Sequence, residues 1–242
     1  MAASPPRSGV IRAMQWTANR SFVPPPLADR LDRVRLRRHA LRYAAHGWAV
    51  TPGACLVGRR FACGRPGCPI MTCHPALESW EDSVTTDPGQ VAEWWRRRPY
   101  SVLLPTGWRF DALEVPAALG LRVLGAARLH SGLLGAGRAD ARGPVAVTAA
   151  GRWMFLVRPG EPLRSELDHR LDVVRHGRGS WIPAPPSRTP EGPVRWAVAP
   201  ERTQWRLPDP SLVQTLLVDA LGTVGEPRRT VPRQLSTARR AA

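Results

Sequence analysis

The chain has 242 residues, and its 43% hydrophobic content is enough for a real core and excludes a wholly disordered protein. All 35 basic residues are Arg and none is Lys; against 19 acids they give a net charge of +16 and a pI near 11.5. No run of 18 apolar residues occurs and residues 1 to 26 lack the apolar stretch of a secretory signal, so neither a membrane span nor export is expected and the expected location is cytoplasmic.

The charge narrows the partners. Arg carries a planar fork of donors that matches phosphate, so nucleic acid, nucleotides or an acidic protein are the natural candidates. A GC-rich genome replaces Lys by Arg without any selection for binding, which accounts for the choice of base but not for the excess of bases over acids.

In chain order, residues 1–27 hold Pro5-Pro6, Pro24-Pro25-Pro26 and scattered Arg without periodicity, and read as a disordered basic arm. A globular domain follows over 28–222. Leu31, Val34, Leu41 and Ala45 mark an amphipathic helix from Ala28 to His46, with Gly47 as its C′ residue. Trp48-Ala49-Val50 starts a short strand that Pro52-Gly53 terminates. The next stretch, 55–75, spaces Cys63, Cys68, Cys73 and His74 in a Gly- and Pro-rich loop. Four soft ligands that close together suit zinc, which takes Cys and His in tetrahedral geometry. Neighbouring Cys73 and His74 do not easily ligate one ion, so Cys55 is a spare candidate, and inert thiols are the plain alternative.

Asp87-Pro88-Gly89-Gln90 combines an acidic N-cap, Pro at N1 and Gln at N3, a helix start. In that helix Trp94 and Trp95 beside Arg96, Arg97 and Arg98 form a candidate nucleic-acid face, rings for stacking and guanidiniums for phosphate. The plainer reading puts one Trp against the sheet and leaves the Arg to support the helix C-terminus.

Ser101 to Pro116, SVLLPTGWRFDALEVP, reads as two apolar strands joined through Thr106-Gly107. The second carries Asp111 and Glu114, and carboxylates in a core-like strand need compensation, which marks a candidate site. Period-two alternation sets them on opposite faces. A helix is expected over Ala117 to Leu129, closed by His130-Ser131-Gly132, then a Gly-rich loop to Gly143. Strands are expected at Val145 to Thr148, Trp153 to Val157, Leu171 to Val174, Trp181 to Ala184 and Val194 to Val198, and a helix over Pro210 to Leu221. Residues 223–242 read as a disordered basic tail. The sum is one α+β domain with no internal repeat.

The segments ALRYAAHGWAVTPG, HPALESW, DPGQVAEWW, SVLLPTGWRFDALEVP, VAVTAAGRWMFLV and LDVVRHGRGSWIPAPPSR resemble, in order and spacing, the bifunctional DNA primase/polymerase N-terminal (prim-pol) domain of the archaeo-eukaryotic primase superfamily, in its stand-alone actinobacterial form, over roughly 38 to 222. The resemblance implies an RRM-like sheet flanked by helices with a Cys/His loop insertion, and nucleotidyl transfer on DNA or RNA with nucleoside triphosphates and Mg²⁺ or Mn²⁺. It also implies zinc in the loop, and a separate replication or helicase protein as a candidate partner. Of the acids it implies, Glu114 takes the first position and Asp172 the last, with Asp111 as a possible substitute. Pro116 stands at the second acid position, Met154 at the expected histidine, and Phe61 where a further cysteine is common. Two catalytic positions are therefore replaced. Three functions stay in view: a nucleic-acid or nucleotide-binding domain with weak or lost transfer, an active metal-dependent primase/polymerase, and a non-catalytic protein-interaction domain.

Overall fold

The computed structural model describes residues 27–134 and 141–222. The arm, the tail and part of the Gly-rich loop expected from sequence lie outside the described residues.

The order is α1 (Leu27–Ala45), β1 (Thr51–Gly53), β2 (Cys55–Val57), β3 (Arg60–Ala62), α2 (Trp80–Ser83), α3 (Pro88–Arg97), β4 (Ser101–Pro105), β5 (Asp111–Pro116), α4 (Ala117–Leu134), β6 (Val145–Val147), β7 (Arg152–Val157), α5 (Ser165–Asp168), β8 (Val174–His176), β9 (Trp181–Pro183), β10 (Arg188–Thr189), β11 (Gly192–Pro193), β12 (Arg195–Val198), a 3-10 helix (Pro200–Thr203) and α6 (Pro210–Gly222). The class is α+β. The central sheet has five antiparallel strands in the order β12-β6-β7-β5-β8, and a smaller sheet runs β1-β4-β9.

Alternation along β5 and β7 divides the core in two. Ala112, Met154 and Leu156 face a cluster built with Tyr43 of α1, Trp48 just after it, Trp95 of α3 and Leu104 of β4. Leu113, Val115 and Phe155 face the other way, onto Val123 of α4 and Leu217 of α6. No helix among the described residues is long and apolar enough to cross a membrane.

Local signals explain many elements. Asp87 accepts from the Gln90 N–H at 2.6 Å, Pro88 opens α3, and Gly47 ends α1 with φ +75° while its N–H reaches the Ala44 carbonyl. Other expectations shift. Leu31 and Val34 are exposed, and the buried stripe of α1 is Leu36, Ala40, Tyr43 and Ala44, fixed by the Tyr43 hydroxyl donating to the Pro185 carbonyl at 2.5 Å. The strand expected at Trp48 to Val50 begins at Thr51 instead, with Val50 only bridged to Thr85, because Trp48 is drawn into the core. Pro52 is tolerated inside β1 because that strand is at a sheet edge. The hairpin β2–β3 occupies the start of a segment expected to be loop throughout. Helix α4 runs past His130-Ser131-Gly132, since one Gly costs a helix only about 1 kcal/mol. The strand expected at Leu171 to Val174 starts at Val174, because that run splits: Leu171 is exposed, Val173 is buried and Asp172 is tied to Arg170.

Strands β4 and β5 join different sheets, and the turn between them makes the crossing. Gly107 has φ +86°, its N–H bonds to the Phe110 carbonyl, and a Cβ there would lie 2.2 Å from the Arg178 Cα. Only glycine fits. This turn and the β8–β9 turn are thereby pressed together beside Glu114.

Candidate functional site

The Glu114 face is assembled by register. Glu114 lies opposite Met154 on β7 and Val174 on β8, while His176 lies opposite Ala112 and Arg152 opposite Pro116. Glu114, Arg152 and His176 thus share one face across three strands. The Glu114 Oε1 accepts from Arg152 Nε at 2.6 Å and Oε2 from His176 Nε2 at 2.7 Å. A carboxylate only accepts, so Nε2 donates to it, and Nδ1 lies 3.0 Å from the Ser180 hydroxyl oxygen. Burial raises the Glu114 pKa, but the His176 and Arg152 hydrogen bonds outweigh it and bring it down to about 2.

Arg152 also reaches the next acid-bearing segment, donating from Nη2 to the Asp172 carbonyl at 2.9 Å. The Asp172 side chain is held bidentately by Arg170 at 2.9 and 2.8 Å, an interaction that lowers its pKa. Asp111 is on the opposite face, buried, with Oδ2 accepting from Arg175 at 3.1 and 2.7 Å and from the Gly160 N–H at 3.0 Å. The opposite placement of Asp111 and Glu114 keeps them from converging on one ion. Both oxygens of Glu114 and both of Asp172 accept from cationic or imidazole donors, while Met154 and Pro116 supply no oxygen donor. As arranged, these residues do not fit a pair of hard divalent ions, which need several oxygens converging between them. What the face can present is the part of the Arg152 guanidinium that Glu114 and the Asp172 carbonyl leave open, and on the turn between β4 and β5 Trp108 is 36% exposed, with the Arg178 guanidinium 5.1 Å from its centroid.

The Cys/His loop is different. Backbone bonds on both sides of His74 strap it to the β1–β2 segment, Ala54 N–H to the His74 carbonyl and Ala76 N–H to the Pro52 carbonyl, both 2.8 Å. Positive φ at Gly64 and Gly67 turns the chain between Cys63 and Cys68. The ligand atoms of Cys63, Cys68 and His74 all lie within 4.8 Å of one another, with Cys68 Sγ 3.5 Å from His74 Nε2. Tetrahedral zinc needs such atoms about 3.3 to 3.8 Å apart, so a contraction of about 1 Å brings three corners together. His74 Nδ1 is held by the Thr72 carbonyl at 2.7 Å, which aims Nε2 inward. Burial raises the Cys63 thiol pKa, but hydrogen bonds from Arg65, His74 and Cys68 outweigh it and bring it to about 6. The group can bind a metal ion. Cys73, expected among the ligands, is outside it: it packs near Phe61, and burial pushes its thiol up to about 12. Cys55 is likewise buried and pushed up to about 11.

The Trp/Arg helix face is largely committed elsewhere. Trp95 is fully buried with its indole N–H on the Tyr100 carbonyl at 2.7 Å, so its ring cannot meet a base. Trp94 is partly buried against the same core. Arg96 and Arg97 close on Glu93 at 2.7 and 2.9 Å, and Arg98 caps the helix end.

Sequence reasoning missed Arg152, Arg170, Arg175 and His176. His176 was within reach, because alternation from Ala112 and Glu114 across a neighbouring strand puts it on their face. Met154, expected from the resemblance to stand in place of a histidine, is buried directly opposite Glu114.

No curated protein and no solved structure matches the chain. The family model described as bifunctional DNA primase/polymerase, N-terminal, matches residues 40–210, a span holding the Cys/His loop, β5 and β8. The chain belongs to the bifunctional DNA primase/polymerase N-terminal family.

Proposed function

We propose that this primase/polymerase-family domain binds nucleotides or single strands on the Glu114 face, with nucleotidyl transfer weak or lost, and carries a structural zinc on Cys63, Cys68 and His74. The observation that carries the reading is Arg152, whose guanidinium spans the Glu114 carboxylate and the Asp172 carbonyl. A cation supplied by the chain lies between the two acid-bearing segments and competes there with divalent ions. The same guanidinium keeps further donors for a phosphate, and Trp108 offers a ring on which a base can stack.

Primer extension and de novo priming with Mg²⁺ or Mn²⁺, beside Asp172→Ala, test the reading when strand binding is measured on the same preparations. We expect salt-sensitive strand binding and no more extension than the variant gives. Extension that Asp172→Ala abolishes would establish an active polymerase. Absence of strand binding even at low salt would favour a protein-interaction domain.

A further inference from the structure

On the far side of the five-stranded sheet from Glu114, a cleft of about 970 Å³ opens between α4, the β6–β12 edge and the loop leading into α6. Its polar lining includes Arg128, Arg142, Arg158, Arg202 and Arg206, against one acid, Asp209. Arg158 pairs with Asp209, which also caps the N–H of Ser211. Among the described residues, Arg128, Arg202 and Arg206 have no carboxylate partner. The floor is apolar, with Leu124, Val145, Phe155 and Leu212.

The wall that carries Arg202 and Arg206 is built rigidly. Gln204 and Trp205 adopt consecutive left-handed conformations, φ +52° and +59°, which cost non-glycine residues energy. Backbone bonds from Trp205 N–H to the Pro200 carbonyl at 2.8 Å and from Arg206 N–H to the Thr203 carbonyl at 3.0 Å close the turn. The Trp205 ring stacks on His46 at 3.8 Å and meets Trp48 edge-on at 4.8 Å. An indole driven into the opposite core therefore anchors the turn, and the arginines beside it are presented from fixed backbone.

We propose that this cleft is a second binding site for phosphate-bearing nucleotide ligands, with the arginines taking phosphates and the apolar floor taking base or sugar. A volume of this order holds a nucleoside triphosphate or a short stretch of single strand, and both present that chemistry. The proposal borrows only the ligand class from the sheet-face reading, and the two fail separately.

The test compares three variants of the full chain by anisotropy, with a labelled oligothymidylate and a labelled ATP analogue as probes. The cleft variant is Arg128→Gln, Arg202→Gln, Arg206→Gln. The charge control is Arg30→Gln, Arg37→Gln, Arg38→Gln on exposed positions of α1. The sheet-face variant is Arg152→Gln, His176→Gln. The cleft variant is expected to lose about tenfold or more in affinity and to flatten the salt dependence by about 2, since each phosphate contact on a single strand contributes about 0.7. The charge control should lose clearly less. Loss for the oligonucleotide alone identifies a strand as the occupant, and loss for both probes identifies a nucleotide. Unchanged binding in the cleft variant, or equal loss in the charge control, overturns the proposal. Unchanged binding in the sheet-face variant alone sinks the other reading and leaves this one standing. A measurement that needs no variant is photocrosslinking of a 4-thiothymidine strand to the unaltered chain. Crosslinked peptides from 197–209 are expected, and crosslinks confined to 106–114 and 172–181 contradict the cleft.

Discussion

The sheet face around Glu114 and the loop around Cys63 each gather polar side chains that could hold a metal, and they differ in what already faces those groups. On the sheet face, Arg152, Arg170 and His176 fill the oxygens of Glu114 and Asp172. In the loop, two sulfurs and an imidazole nitrogen converge with their backbone strapped, and the nearby cation, Arg65, favours thiolate. Counting donors therefore does not identify a metal site; what counts is whether the chain has already neutralised them.

The largest effect that would sharpen this contrast is metal content. The purified chain should hold about one zinc, and Cys63→Ser or Cys68→Ser should lose it with a clear fall in thermal midpoint, by elemental analysis and melting. Cys73→Ser should keep it; loss there would mean that the loop closes on Cys73 once the ion arrives.

On the sheet face the expected effect comes from an ion pair. Arg152→Met leaves the largely buried Glu114 with only His176 and should cost about 3 kcal/mol in urea denaturation. No change would mean that the pair is loose in solution and the face open to other cations.

The pH dependence is similar in size. The folded pKa of Glu114, about 2, is below the unfolded value of about 4.3, so the unfolded chain binds the proton first. Its contribution, up to about 3 kcal/mol, is complete above pH about 4.3 and is lost as pH falls towards 2. Glu114→Gln should flatten the stability profile in that window. The smallest effect belongs to Glu93, which pairs with Arg96 and Arg97 in open solvent. Glu93→Gln should leave the denaturation midpoint unmoved, since exposed pairs contribute little.

Much of this was legible where the signal is local. The α3 cap, strands β6 and β7, and α6 follow from residues a few positions apart. The unreadable parts depend on distance: Arg152 is 38 residues from Glu114 and His176 is 62, and only strand register brings them together. The exposed side of α1 was misassigned because Tyr43, with a polar end, is what that helix buries. In the loop, spacing offered Cys63, Cys68, Cys73 and His74 together, and the backbone straps around His74 set it, and not Cys73, beside Cys63 and Cys68.

The most direct test of the central claim, that the acids of the sheet face serve arginines instead of divalent ions, is Mn²⁺ titration of the zinc-loaded chain followed by electron paramagnetic resonance. Depletion of the free Mn²⁺ signal should be weak and the same in the unaltered chain, Glu114→Gln and Asp172→Ala. Tight Mn²⁺ binding that either substitution removes would contradict the account.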